Sequence, residues 1–331
     1  MRRASHGLQE ITGETLVFKG IEEQKLRYAP IDGKVVLLQG PQTIPLLFSE
    51  GHDYIIDYEL GTIKRTVQSR IPDWQEHPMY GKAGFDHRDY PDYSNARFTC
   101  TIDYSTMAVG KAEAIEEKIK PLLLSQLHER ISRQREVTYV VFGDSISTGA
   151  EASIKELAYH NRFAAALRNR YPHTEIRVEM MALGGEGSRR GLERIEDIIA
   201  LQPELVTIGY GMNDQNRQPD GTNSTPLEEF EQNISEMVSR IRQHTSAQII
   251  VITPCLPNPN WIFASENVTD YAEAIRRIGY TSGVVVADVQ RLWLDELAAG
   301  KTHESLLLNN INHPNDYGHR LYYSALEGLL E

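Results

Sequence analysis

Four short blocks of the chain carry residue types suited to acyl transfer. They are Gly143-Asp144-Ser145, the run from Ala182 to Ser188 (ALGGEGS), Gly211-Met212-Asn213-Asp214 and Asn312-His313-Pro314-Asn315. A serine that attacks a carbonyl needs a base to take its proton and N–H donors aimed at the oxygen that becomes negative. Ser145 supplies the hydroxyl and His313 an imidazole. Gly185 offers a backbone N–H with no side chain in the way, and Asn213 offers an amide. The N–H of Ser145 is a third donor, expected beside the positive N-terminus of a following helix. Each block also has a plainer role: Asp144 or Ser145 as a helix cap, Gly184 and Gly185 as turn residues, Asn213 or Asp214 capping a turn, His313 as a surface residue before proline. Their coincidence in this order, at strand ends and in the last loop, favours catalysis.

Blocks so far apart in sequence need a scaffold that gathers them. Val137 to Phe142 reads VTYVVF, the composition of a strand buried on both faces, and runs straight into Gly143. From there strands expected at 137–142, 175–181, 205–210, 248–253 and 284–288 alternate with helices at 154–170, 189–200, 227–244 and near 268–280, and two more helices close the chain. That rhythm predicts a parallel sheet covered on both faces, with right-handed crossovers. Five strands fit a flavodoxin-like three-layer α/β/α domain, in which ligands bind beyond the carboxyl ends of the strands. This α/β domain is expected over 136–331.

Ahead of it the pattern is short and β-like, with strands expected at 15–19, 34–38, 54–58, 61–67 and 96–103 between Gly, Pro, Asp and Asn turns. An all-β, jelly-roll-like sandwich is expected over 1–110 as an accessory domain. A loop at 71–93, carrying Trp74, Tyr80, Phe85, Tyr90 and Tyr93, is expected to pack the seam between domains and to bring one aromatic toward the substrate. Residues 111–135 are rich in helix formers with apolar residues three and four apart, and predict a helical connector interrupted at Pro121.

The 331 residues carry 34 Lys and Arg against 46 Asp and Glu, a net charge of -12, which argues against nucleic acid or an anionic membrane as partner. A small-molecule or oligosaccharide ester suits that charge better, while assembly with further copies of the chain stays open. The opening MRRASHGLQEITGE lacks the apolar core of a secretory signal and no segment approaches the length of a membrane span, so a soluble, cytoplasmic protein is expected. Cys100 and Cys255 suggest neither a disulfide framework nor a zinc site.

In order and spacing the four blocks resemble the SGNH or GDSL hydrolases, from about Val137 to the C-terminus. The run GEGSRRGLERI from Gly185 to Ile195, followed by Gln202-Pro203, looks like that family's second block and the helix after it. The resemblance implies Ser145 as nucleophile, His313 as base, and Ser145, Gly185 and Asn213 as the oxyanion hole of a serine esterase with no metal or organic cofactor. The β-rich first domain is similar in architecture to two-domain carbohydrate acetylesterases of the group, which implies a short acyl ester, most simply acetyl, on a carbohydrate. A lipase or thioesterase for longer acyl chains, and a catalytically inactive carbohydrate-binding scaffold, stay open.

One position departs from the family pattern. Where its members usually carry Asp three residues before the histidine, this chain has Asn310. An amide oxygen can hold the imidazole ring but cannot compensate the charge of the imidazolium, and in a serine protease the Asp-to-Asn exchange cost roughly 10⁴-fold. A Ser–His dyad is therefore expected, with Asn310 or a backbone carbonyl orienting the ring. Asp288, at the end of the last strand, is an outside candidate for the acid and reads more simply as a cap for 290–298. Asp144 and Trp261 are candidate substrate contacts; Trp261 with Phe263 reads either as a sugar-stacking wall or, equally well, as packed loop hydrophobes. Arg189 and Arg190 read as first-turn charges, Cys255 as a neighbour of the pocket and His319 as a residue seating the last helix. His160 and His244 are placed on polar helical faces.

Overall fold

The computed structural model describes residues 7–42, 45–107, 128–129 and 131–330. The connector expected over 111–135 falls mostly outside the described residues. The chain divides into two compact units, one built from the residues up to 107 together with Leu294–Ile311, the other from those between 128 and 293 together with 312–330.

The first unit holds β1 (Leu8–Val17), β2 (Gln24–Lys25), β3 (Val36–Gln39), β4 (Leu47–Phe48), β5 (Tyr54–Asp57), β6 (Thr62–Arg65) and β7 (Thr99–Met107). They form two antiparallel sheets, β1-β7-β3-β4 and β2-β6-β5. Alternate residues of both sheets, among them Leu16, Leu38, Phe48, Ile56, Ile63 and Ile102, meet in one apolar core. The β-rich architecture read from the sequence is present, with different boundaries. β1 starts seven residues before the expected strand, and its first half buries no residue fully, so it lacked a periodic apolar signal. Its register also shifts between Ile11 and Glu14, which breaks the alternation. In the loop at 71–93, Trp74 is buried, stacks on His77 at 4.1 Å and clusters with Val17 and Phe98 of the same unit.

The second unit holds β8 (Glu136–Gly143), β9 (Glu175–Met180), β10 (Leu205–Gly209), β11 (Gln248–Ile252) and β12 (Val285–Ala287), all parallel in the order β12-β11-β10-β8-β9. Numbered within the unit this is the flavodoxin-like order 2-1-3-4-5, and the order reverses between β8 and β10. Along the whole chain the helices are α1 (Tyr159–Arg170), α2 (Ser188–Glu193), α3 (Ile195–Ala200), α4 (Leu227–His244), α5 (Val268–Ser282), α6 (Val289–Ala298), α7 (His303–Leu306) and α8 (Asp316–Glu327), of which α7 and the part of α6 from Leu294 fall in the first unit. Val140, Phe142, Val206, Ile208 and Val251 pack against Ile198, Phe230, Ile234 and Ile275 on one face, and Tyr139 meets Phe163 of α1 edge-on from the other. Both faces are thus dry, which is why these strands read as unbroken apolar runs. Among the described residues no helix is long and apolar enough to cross a membrane.

Two differences from the sequence reading bear on the site. The helix expected from 154 starts only at Tyr159, after one 3-10 turn at Lys155–Leu157, and residues 145–151 form a chain of turns. The segment Leu294–Ile311, read as part of the α/β domain, clusters with the first unit. Lys301 pairs there with the buried Glu14 and donates to the Thr15 carbonyl at 3.0 Å, while Asn95 donates from its amide to the Leu307 carbonyl at 2.8 Å. Those partners lie more than two hundred residues away, beyond the reach of local pattern.

Candidate active site

The site begins where β8 and β10 end side by side. Gly143 pairs with Gly209, and a Cβ at Gly143 would collide with the Gly209 carbonyl oxygen and the Ser147 hydroxyl, so only glycine lets the strands approach this closely. The chain then winds through turns: the Asp144 carboxylate accepts from the Ile146 N–H at 2.9 Å, and the Ser145 carbonyl accepts from the Ala150 N–H at 3.1 Å and the Thr148 hydroxyl at 2.7 Å. The N–H of Ser145 therefore opens a turn, and the helix N-terminus expected beside it is absent. Asp144 is also not a substrate contact: only 2% of it is exposed. Burial pushes its carboxyl up to about 7, the Ile146 N–H opposing the shift and the nearby Asp214 adding to it.

His313 reaches the serine from the other end of the unit. Its Nε2 lies 2.8 Å from Ser145 Oγ, the distance at which the hydroxyl donates to the imidazole. The loop carrying it is pinned at once, because Asn315 caps α8 by accepting from the Gly318 N–H at 3.0 Å. On the Nδ1 side of the ring stands Glu151, its Oε1 3.9 Å away. The sequence reading missed this residue, since no strand end, motif or spacing marks it.

The donors come from the loops after β9 and β10. A Cβ built on Gly184 would lie 3.9 Å from Ser145 Cβ, which sets this loop beside the serine. Gly185 has a φ of +75°, a left-handed backbone that side chains resist, with open space around it. Asn213 donates from Nδ2 to the Glu186 carbonyl at 3.0 Å, which turns the amide and leaves its second N–H for a ligand oxygen. The two loops are locked together by Asp214, which accepts from Ser188 N and Oγ at 2.8 and 2.7 Å and from Gly211 N at 3.0 Å. Asn233 of α4 closes the cluster onto the Ser188 hydroxyl at 3.0 Å. Beneath it Glu186 accepts from Arg194 at 2.9 and 2.6 Å and from the Tyr210 hydroxyl at 2.8 Å, fixing the peptide that holds Asn213. Asp214 was visible in the third block, Glu186 in the second and Arg194 in the run after it, but without a role, whereas Tyr210 was read only as the end of a strand.

Other expected residues serve packing. Trp261 is only 6% exposed and meets Phe263 edge-on at 5.4 Å, so it offers no open face for a sugar. Asn310 belongs to the first unit, where its oxygen accepts from the Asn95 amide at 3.4 Å and its nitrogen lies 3.8 Å from the Met79 sulfur. Its φ of +58° suits asparagine, and a carboxylate against a thioether would be poorly solvated. Asp288 accepts from Arg276 at 2.8 and 3.0 Å and from the Arg291 N–H at 3.2 Å, which is the cap role read from the sequence. Arg189 pairs with Glu229 on the surface, and Arg190 is exposed. Cys255 is buried, its thiol pushed up to about 12 by desolvation. His319 sits in α8 and donates from Nε2 to the Ala150 carbonyl at 3.0 Å. His160, expected on a polar face, is instead one of the buried residues of α1.

A model of the GDSL-like lipase/acylhydrolase family matches residues 141–321. The isoamyl acetate-hydrolyzing esterase of Saccharomyces cerevisiae is 24% identical over 211 residues, 58% of this chain and 85% of that protein. Among solved structures, the acetylxylan esterase Axe2 from Geobacillus stearothermophilus, in a catalytic mutant, aligns with a TM-score of 0.51 at 22% identity, covering 60% of this chain and 96% of that one. A two-domain esterase active on acetylated mannans, co-crystallized with mannopentaose, aligns with a TM-score of 0.51 at 20% identity, covering 63% of this chain and 52% of that one. At these identities the two structures establish a likeness of fold.

Proposed function

The chain belongs to the GDSL-like lipase/acylhydrolase family and is a serine carboxylic ester hydrolase, and from that premise we propose that it removes acetyl groups from a carbohydrate through an acyl-enzyme on Ser145. The observation that carries the mechanism is the 2.8 Å approach of His313 Nε2 to the Ser145 hydroxyl at the point where the strand order reverses. Ser145 Oγ attacks the ester carbonyl while His313 takes its proton. The oxygen that turns negative is met by the N–H groups of Ser145 and Gly185 and by the second amide N–H of Asn213. His313 then protonates the departing sugar hydroxyl, and water, activated by the same imidazole, releases acetate and restores the serine.

The acetyl assignment is supported by the relatives, whose names concern isoamyl acetate, acetylxylan and acetylated mannans. A neutral sugar ester also suits a chain of net charge -12. The test has two arms. A fluorophosphonate probe should label the wild-type chain and leave Ser145→Ala unlabelled, and an unlabelled wild type would reject the serine mechanism. On nitrophenyl esters the rate should peak at acetate and fall with chain length, and acetylated xylo- or manno-oligosaccharides should release acetate. A peak on long-chain esters would reject the acetyl assignment.

A further inference from the structure

We infer that Glu151 is the acid of this site, a positioning residue that faces His313 and takes over the charge-compensating part left empty by the amide at position 310. The inference rests on the serine-esterase reading above and adds a residue to it. His313 becomes an imidazolium each time Ser145 gives up its proton, and an anion beside the ring stabilises that state. Glu151 Oε1 stands 3.9 Å from His313 Nδ1, on the side of the ring opposite Ser145. This is beyond a direct hydrogen bond but well within the range of charge stabilisation.

The loop around Glu151 is built to hold it there. Its backbone adopts a φ of +66°, an uncommon conformation for a residue with a side chain, which persists only when the surroundings enforce it. They do so from both sides. Just before it, the Ala150 carbonyl accepts from His319 Nε2 at 3.0 Å. Two residues after it, Ser153 donates to Asp316 from N at 2.9 Å and from Oγ at 2.6 Å. Both clamps sit on α8, which begins three residues after His313, so one helix fixes the carboxylate and the imidazole against each other. His319, Asp316 and Asp144 have other duties. His319 is held neutral, its imidazole lowered to about 4 by burial, Asp316 is engaged by Ser153, and Asp144 lies buried beneath the serine.

The test compares wild type with Glu151→Gln, Glu151→Lys and Glu151→Gly on nitrophenyl acetate across pH. Losing the anion disfavours the imidazolium, so kcat should fall about tenfold in Glu151→Gln with KM little changed. The acid limb of kcat/KM should move to lower pH by several tenths of a unit, and further in Glu151→Lys. A purely structural residue would leave that limb in place. Glu151→Gly relieves the left-handed backbone, so its melting temperature should equal or exceed that of wild type while kcat falls as in Glu151→Gln. An active wild type matched by Glu151→Gln in both kcat and acid limb would overturn this inference alone. A wild type that turns over no ester would overturn the esterase reading and this inference with it.

Discussion

In the first unit Glu14 and Lys301 meet with 0% and 1% of their side chains exposed, whereas in the second His313 meets Ser145 with 22% of the imidazole open to solvent. Around the buried pair the polar capacity is taken up. Glu14 accepts from the Tyr104 hydroxyl at 2.6 Å and the Arg27 N–H at 2.8 Å, and Lys301 donates to the Thr15 carbonyl. At the Ser–His pair capacity is left over: Asn213 uses one amide N–H internally, and Gly185 sits exposed with nothing near its α-carbon. A proton donor and acceptor drawn from distant segments anchor where they are saturated and can react where a donor or acceptor is kept back for a ligand. Asp144 is an intermediate case, a buried carboxyl close to the serine that is met by backbone N–H groups such as that of Ile146.

Four substitutions, two of them combined, probe that contrast. Lys301→Met leaves Glu14 buried without its cation and should destabilise the first unit by about 3–5 kcal/mol in urea unfolding. Adding Glu14→Gln should restore most of that, and activity per folded molecule should stay within about threefold of wild type. A single variant as stable as wild type would show that the pair anchors nothing. Asn213→Ala removes a reserved donor and should lower kcat about 10²- to 10³-fold, equivalent to about 3–4 kcal/mol, with unfolding little changed. A loss confined to KM would place Asn213 in ground-state binding instead. The smallest effect belongs to Asp144→Asn. Because the folded state raises this carboxyl from 3.8 to about 7, its favourable contribution is complete below pH 3.8 and is lost as pH climbs toward 7. Asparagine stays neutral, so the variant should gain about 2 kcal/mol on wild type between about pH 5 and pH 7. A pH-independent difference would mean that the buried carboxyl is compensated by a group other than those named.

Legibility in the sequence followed the range of the interaction. β8 and β10 were readable because strands buried on both faces write unbroken apolar runs, and the first and third blocks because each follows such a run directly. β2 and β4 are two residues long and carry no period. The helix expected at 154 came late because Ser153 is tied to Asp316 and a 3-10 turn at Lys155–Leu157 occupies the chain up to Ala158. The burial of Asp144 and Trp261 was not legible, because residue type reports what a side chain can do, whereas burial depends on which loops close over it. Arg194, Tyr210 and Glu186 converge from a helix and two strand ends, and no one of them signals the others.

The sequence alone determined the alternation of strands and helices that implies a parallel α/β sheet, and the four blocks bearing Ser145, Gly185, Asn213 and His313, because each element and block is written locally. Tertiary structure decided the rest: that Leu294–Ile311 clusters with the first unit, that Asn310 is engaged there by Asn95, and that a glutamate from the turn after β8 faces the imidazole. Those outcomes depend on distances between residues far apart in the chain, and such distances exist only once the backbone has closed.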